Sequence, residues 1–94
     1  MSITIKIPTP MRSLTKGTGE VSVSGKTVRE AINQLESQYV GIKERICDSD
    51  GNLLMFVNIY LNEEDIRSLQ DLDTELNDGD NKIFIIPAIA GGIF

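Results

Sequence analysis

Histidine and tryptophan are absent from this chain of 94 residues, and cysteine occurs only once. Without histidine, the sequence lacks the most frequent general base and the commonest metal ligand of proteins. The single thiol, Cys47, can form neither an internal disulfide nor a zinc site, and we expect it to be a small semi-buried residue. The sequence therefore predicts a protein that is not an enzyme and has no metal site and no cofactor.

The sequence also has little positive charge and no long apolar run. Nine basic residues stand against fourteen acidic ones, which gives a net charge of −5. A chain of this charge repels the phosphate backbone, so we expect no nucleic-acid partner. No apolar stretch approaches the roughly 20 residues that span a bilayer, and the first residues lack the order of a signal peptide. These features predict a cytoplasmic protein without a membrane partner.

The spacing of apolar residues predicts the secondary structure of the first half. Apolar β-branched residues alternate with polar ones in 3–7 and in 21–23, so we expect two strands joined as a hairpin. A helix is predicted after Thr27, which has the capping-box spacing to Glu30. The buried stripe of this helix is predicted to contain Val28, Ala31, Ile32, Leu35 and Tyr39.

In the second half we expect strands at 55–61 and 82–86, with a short extended piece around Ile66 and Arg67. The connecting segment is expected to attach to the core through three leucines: Leu69, Leu72 and Leu76. A hairpin followed by one helix and more strands is typical of an α+β fold. The ubiquitin-like β-grasp fits this order, with the last strand paired beside the first in a mixed sheet. The predicted domain covers 1–87.

With one main helix available, one face of the predicted sheet has to meet water or a partner protein. Polar Asn58 and charged Lys82 identify that face, because residues two apart in a strand lie on the same side. Four large apolar residues share it: Phe56, Tyr60, Phe84 and Ile86. Exposed apolar patches of this kind mark protein interfaces, so we predict a docking surface. The alternative is that the segment 69–76 covers the patch.

Residues 88–94 follow the last predicted strand and show no helix or strand periodicity. They include Ala90, Gly91 and Gly92, whose side chains are small or absent. Because glycine has no Cβ, such a backbone can enter a channel that is too narrow for other residues. We therefore predict a flexible tail at 88–94 that delivers a carboxylate to another protein's active site. The alternative is a frayed end without function.

Five stretches of the sequence resemble the ubiquitin-like sulfur carriers of the ThiS/MoaD family: 7–12, 56–62, 64–67, 78–80 and 86–92. The resemblance extends over essentially the whole length. Gly-Gly behind Ile-Pro-Ala-Ile-Ala, after this order of strands, is its most specific part. The first two stretches are most similar to the CysO-type carriers, which feed cysteine biosynthesis. The small subunit of molybdopterin synthase is the second candidate subgroup.

The resemblance implies a carrier that catalyses nothing itself. In the family, an E1-like adenylyltransferase uses ATP to adenylate the terminal glycine carboxylate, which corresponds here to Gly92. A sulfur donor then converts the adenylate to a thiocarboxylate. The sulfur passes to a sulfur-accepting synthase, either a cysteine synthase or the large subunit of molybdopterin synthase. Ala90 and Gly91 are thereby expected to thread into the partner's active site.

The resemblance also implies docking residues. In the family, partners contact the sheet face and the residues leading into the tail, which match Arg12, Ile86 and Pro87 here. Ile86 was placed on the outer face by strand parity as well, so two arguments agree on that residue. The net negative charge predicts a basic groove on the partner, where charge affects the association rate more than the affinity.

Ile93 and Phe94 follow the second glycine, whereas family members that act directly end there. While these two residues remain, the carboxyl group of Gly92 is held in a peptide bond and cannot be adenylated. We expect cleavage between Gly92 and Ile93, and the resemblance implies a JAMM-type metalloprotease. Alternatively, the dipeptide is an apolar hook for a partner or a relic of a lost activity. A different class of function is a ubiquitin-like modifier or binding subunit, in which Gly92 forms isopeptide bonds or only docks.

Overall fold

A mixed sheet with an α-helix on one face forms the described part of the chain. The computed structural model describes residues 2–77 and 79–87. Its regular elements are β1 (Ser2–Lys6), β2 (Glu20–Val23), α1 (Val28–Gln38), β3 (Val57–Leu61), β4 (Glu64–Asp65) and β5 (Asp80–Pro87). Short 3-10 segments lie between them at Thr9–Thr15, Lys43–Arg45, Ile66–Ser68 and Asp71–Asp73. No helix in these ranges has the length and apolar character that a bilayer crossing requires.

The strand order in the sheet is β2-β1-β5-β3-β4. The last strand, β5, lies in the middle, where it runs parallel to β1 and antiparallel to β3. β2 and β4 pair antiparallel to β1 and β3 and form the two edges. This arrangement is the predicted ubiquitin-like β-grasp, with the final strand beside the first.

The predicted N-terminal hairpin is present, but its connection differs from a simple loop. β1 and β2 pair with Ile5 opposite Val21, so the buried residues of both strands face the helix. Between them, Thr9–Thr15 forms a 3-10 segment that was not predicted from the sequence. Proline near its start suits this structure, because the first amides of a helix need no internal acceptor. Met11 and Thr15 are buried, so the connection is part of the core.

The helix α1 begins where the capping residues predict. The Thr27 hydroxyl accepts a hydrogen bond from the Glu30 N–H at 3.2 Å. The Glu30 carboxylate accepts from the Lys26 N–H at 3.0 Å, one residue earlier than in a standard capping box. Of the five residues predicted for its stripe, Tyr39 is half-buried and the other four are buried.

Three predictions for the second half need correction. β3 begins at Val57, because the chain still turns at residues 55 and 56. The short extended piece is Glu64–Asp65, and Ile66 starts a 3-10 segment whose Arg67 N–H donates to the Asp65 carboxylate at 2.9 Å. Leu72 and Leu76 are buried as predicted, but Leu69 is 39% exposed, so it does not attach the segment to the core.

Candidate docking surface

The outer face of the sheet has the residues that strand parity predicts. On β3, Val57, Ile59 and Leu61 are buried against the helix side, whereas Asn58 and Tyr60 are only partly covered. On β5 the same alternation leaves Lys82 exposed and Phe84 half-buried, and Ile86 is 46% exposed. Phe56, just before β3, is 41% exposed. Phe56, Tyr60, Phe84 and Ile86 are called the docking strip below.

The strand register makes the docking strip continuous. Tyr60 lies directly opposite Phe84, and Asn58 lies opposite Ile86. Opposite side chains on an antiparallel pair have Cβ atoms about 5 Å apart, so Tyr60 and Phe84 are neighbours on this face. The first residue of β3, Val57, pairs with Pro87, the last residue of β5. Phe56 and Ile86 therefore lie at the end of the sheet where the chain continues to residue 88.

The segment 69–76 does not cover the docking strip. The Leu76 N–H donates to the Lys26 carbonyl at 2.9 Å, and the Val28 N–H donates to the Thr74 carbonyl at 3.1 Å. These bonds join the segment to the start of α1, on the opposite face of the sheet. The alternative considered for the patch is therefore wrong, and this segment leaves the docking strip accessible.

Arg67 holds the turn that carries Phe56 and was not identified from the sequence as a site residue. Its Nη1 donates to Asn58 Oδ1 at 2.7 Å, and its Nη2 donates to the Leu54 carbonyl at 2.8 Å. One guanidinium thus links the 3-10 segment after β4 to β3 and to the turn before it. Two fixed bonds reduce the entropy that this side chain loses when a partner binds. Arg67 lies in the 64–67 stretch of the family resemblance, which was the available signal.

Arg12 lies at the same end of the sheet as Pro87. Its Nε donates to the carbonyl of Ile7, which follows β1, and β1 runs parallel to β5. The guanidinium also packs against Gly19, where an added Cβ would lie 3.1 Å from Arg12 Cζ. This placement agrees with the predicted docking role of Arg12, Ile86 and Pro87, which remains a prediction.

Charged side chains surround the docking strip. Lys6, beside Phe84 in the register, forms an ion pair with Glu20 across β1 and β2. The hydrogen bond from Lys6 and its charge lower the pKa of Glu20, and the charge of Lys82 acts in the same direction. Glu20 is therefore ionised and neutralises Lys6, whereas Lys82 and Arg67 have no carboxylate within ion-pair distance among the described residues.

Cys47 lies away from this surface. It is 4% exposed, and burial raises the pKa of its thiol, so the thiol stays protonated at neutral pH. A groove of about 590 Å³ near it is bordered by Glu36, Lys43 and Asp48. The Asp48 carboxylate already accepts the N–H groups of Asp50 and Asn52 within its own loop. In residues 2–77 and 79–87, no group of three or more acidic or cysteine side chains is arranged to hold a metal ion.

The predicted reactive residues lie outside the described part of the chain. Ala90 and Gly91, the threading residues, belong to 88–94, and so do Gly92 and Ile93, the expected sulfur-bearing and cleavage positions. Their roles, and the division into a domain at 1–87 and a tail, remain predictions. The structure describes the chain up to Pro87, five residues before Gly92.

Comparisons with known proteins agree with the resemblance. A profile described as the ThiS family matches residues 5–92. The sulfur carrier protein CysO of Mycobacterium tuberculosis H37Rv is 48% identical over 94 residues, which cover 98% of this chain and all of CysO.

Two solved structures extend these comparisons. One is a crystal structure of a BexX/CysO complex from Amycolatopsis orientalis, in which a chain 41% identical superposes with a TM-score of 0.88 and covers 96% of this chain and 99% of its own length. The other is the small archaeal modifier protein 1 of Methanosarcina acetivorans, 29% identical, with a TM-score of 0.81 and coverages of 97% and 96%. The profile and the 48% identity together establish that the chain belongs to the ThiS family and is a homologue of the sulfur carrier protein CysO.

Proposed function

We propose that this protein carries sulfur as a thiocarboxylate on Gly92, after Ile93 and Phe94 have been removed, and that it supplies cysteine biosynthesis in the cytoplasm. The observation that carries the proposal is the docking strip, which runs along β3 and β5 to the point where β5 ends at Pro87. The five residues from Ala88 to Gly92 reach about 16 Å when extended. A partner bound on the strip is thus within reach of the Gly92 carboxyl group.

The chemistry has three steps, and each is performed by another protein. A peptidase of the JAMM class hydrolyses the Gly92–Ile93 bond with one water and releases the Ile-Phe dipeptide. An E1-like adenylyltransferase then joins the Gly92 carboxylate to the AMP moiety of ATP and releases pyrophosphate. A sulfide donor displaces AMP, which leaves a thiocarboxylate. This chain contributes the acyl group and the docking residues, since it has no histidine and its thiol is buried.

The sulfur acceptor in this proposal is a synthase that receives the thiocarboxylate in its active site. We assign Arg12, Pro87 and the docking strip to contacts with the adenylyltransferase and with this synthase, and Ala90 and Gly91 to the entry channel. A relative that is 41% identical forms a complex with BexX, which supports a partner-binding role. A cysteine synthase is the first candidate acceptor, because the 48% identical relative is named CysO. The large subunit of molybdopterin synthase is the second.

The test is the intact mass of the purified full chain after incubation with host lysate, ATP and a sulfide source. We expect loss of the Ile-Phe dipeptide, followed by a gain of about 16 Da over the Gly92 acid as sulfur replaces oxygen. A full-length chain that persists and still gains sulfur would refute trimming. Mixing the thiocarboxylate form with each candidate synthase and that synthase's small-molecule substrate identifies the acceptor. Only the true acceptor consumes the thiocarboxylate: its sulfur bonds to the substrate as a thioester, and hydrolysis by water then releases the sulfur-bearing product and the Gly92 carboxylate.

A protein modifier is the second candidate function. The observation in its favour is the similarity to a small archaeal modifier protein that is 29% identical and covers nearly the whole chain. In this case Gly92 forms isopeptide bonds with lysines of other proteins. Protease digestion of the lysate followed by mass spectrometry distinguishes the two candidates, because a modifier leaves its terminal residues on target lysines and a carrier does not.

A further inference from the structure

The charge of this chain is unevenly distributed along the sequence. Eight of the fourteen acidic residues lie between 63 and 80, where Arg67 is the only basic residue. The rest of the chain contains six acidic and eight basic residues, so it has a small positive net charge. The overall value of −5 therefore says little about a particular surface, and the docking surface has to be assessed from its own residues.

The outer face of the sheet has a small positive net charge, in contrast to the whole chain. Its charged residues, by element, are Lys6 on β1, Glu20 on β2, Asp65 on β4, and Asp80 and Lys82 on β5, with Arg67 beside β3 and Arg12 at the sheet end. Asp80 begins β5 and lies at the opposite end from Pro87. With Asp80 included, four cations and three carboxylates surround the docking strip, which leaves one excess positive charge.

Three of these cations have no carboxylate within ion-pair distance among the described residues: Arg12, Arg67 and Lys82. Lys6 and Glu20 neutralise each other, and Asp65 accepts the backbone N–H of Arg67. Lys82 and Arg67 border different ends of the strip: Lys82 is two residues before Phe84 on β5, and Arg67 bonds Asn58, which lies opposite Ile86. Arg67 gives its hydrogen bonds to neutral oxygens and keeps its full charge. Lys82 is exposed, so its ammonium group meets solvent.

We propose that the docking strip binds a partner surface with an apolar centre bordered by carboxylates. This inference rests on the proposed function, because it specifies the partner surface that the carrier contacts. The apolar centre matches Tyr60, Phe84 and Ile86, and the carboxylates match Lys82 and Arg67. Complementary charge of this kind orients the encounter and excludes partners of the wrong sign. The basic groove expected from the net charge is replaced by an acidic one.

The test uses two synthetic peptides as probes, one of alternating leucine and glutamate and one of alternating leucine and lysine. They have the same apolar content and opposite charge. Each is titrated into the full chain at low and high salt, and amide chemical shifts are followed by NMR. We expect the glutamate peptide to shift the amides of Lys6, Tyr60, Lys82 and Phe84, with an affinity that falls as salt increases.

Two charge-reversal variants distinguish the effect of charge beside the docking strip from the effect of the net charge of the chain. Lys82→Glu is expected to lower the affinity for the glutamate peptide about fivefold. Lys26→Glu, near the start of α1, changes the net charge by the same amount and should leave this affinity unchanged. The proposal is overturned if the lysine peptide binds the outer face more tightly, if neither peptide binds there, or if both reversals have equal effects. Sulfur loading of Gly92 needs no peptide and is measured separately, so failure here is distinguishable from failure of the carrier function.

Discussion

The contact between Gly19 and Arg12 shows how a missing side chain leaves room for the guanidinium of Arg12, a predicted docking residue. The Arg12 guanidinium lies over the Gly19 backbone and donates from Nε to the Ile7 carbonyl at 3.0 Å. An added Cβ on Gly19 would come within 3.1–3.3 Å of three guanidinium atoms. Since these atoms end a flexible side chain, the side chain moves before the backbone does.

We predict that Gly19→Ala displaces Arg12 without unfolding the domain. The backbone of Gly19 has no left-handed conformation, so alanine fits it, and the free energy of unfolding should change by less than about 1 kcal/mol. The Nε–H resonance of Arg12 should shift in a side-chain NMR spectrum as the bond to Ile7 is lost. Gly79→Ala is the matched control, because nothing lies within 4 Å of its added Cβ. An unshifted Arg12 resonance in Gly19→Ala contradicts the positioning argument.

At the scale of elements, the end of α1 depends on one carboxylate. Glu36 accepts the N–H of Gly41 at 2.9 Å and the N–H of Lys43 at 2.8 Å. Gly41 has a φ of +103°, which lets the chain reverse there. The hydrogen bonds from Gly41 and then from Lys43 lower the pKa of Glu36, because they favour its ionised form. The loop from helix to 3-10 segment is therefore stabilised by the charge of Glu36.

We predict that Glu36→Gln destabilises the domain at neutral pH and not in acid. A lowered folded-state pKa stabilises the fold above the unfolded-state pKa, and this contribution is lost as the pH falls through the folded-state pKa. Since Glu36 is only half-buried, we expect a loss of about 1 kcal/mol or less at pH 7. Urea unfolding at several pH values measures it. The control is Glu44→Gln, an exposed neighbour with the same change in charge. Its free energy of unfolding should differ from that of the wild type by the same small amount at every pH.

Elements with a strong local signal were predictable from the sequence, and those fixed by tertiary contacts were not. The alternation in β1 and the Thr27 cap follow from neighbouring residues alone, and so does the parity of β3 and β5. The 3-10 segment Thr9–Thr15 depends on burying Met11 under the sheet end, which no local pattern encodes. Leu69 follows helix-like spacing with Leu72 and yet remains exposed, because the segment turns between them.

For the molecule as a whole, the site was only partly predictable. The docking strip followed from parity, since two alternating strands and one helix leave a single possible outer face. Arg67 required the structure, because its bonds to Leu54 and Asn58 connect residues 13 and 9 positions apart in sequence. The charge of the outer face also required the structure. The composition gives only the net charge of the chain, in which the acidic segment 63–80 outweighs the basic residues of the outer face. The glycine-rich tail was predicted from its composition, whereas the role of Gly92 as the sulfur-bearing residue rests on the family resemblance and stays a prediction.

The carrier proposal predicts that a substitution at Gly92 abolishes the loading of sulfur without changing the stability of the fold. A chain ending at Gly92 should gain sulfur without any peptidase, whereas the same chain with Gly92→Leu should not, because a branched side chain cannot enter a channel shaped for glycine. Both chains should unfold within about 2 °C of the full chain, which corresponds to a change in the free energy of unfolding of well under 1 kcal/mol. The reason is that β5 ends at Pro87, five residues before Gly92.

Intact mass after incubation with ATP, a sulfide source and the purified adenylyltransferase measures the loading, and calorimetry measures the unfolding. Ala90→Gly in the same shortened chain is the control. It removes one more methyl group from the tail, so the chain should still gain sulfur at Gly92. If Gly92→Leu instead lowers the unfolding temperature by several degrees, residues 88–92 contribute to the fold. The predicted tail would then be part of the domain, and Gly92 would not be available to a partner enzyme.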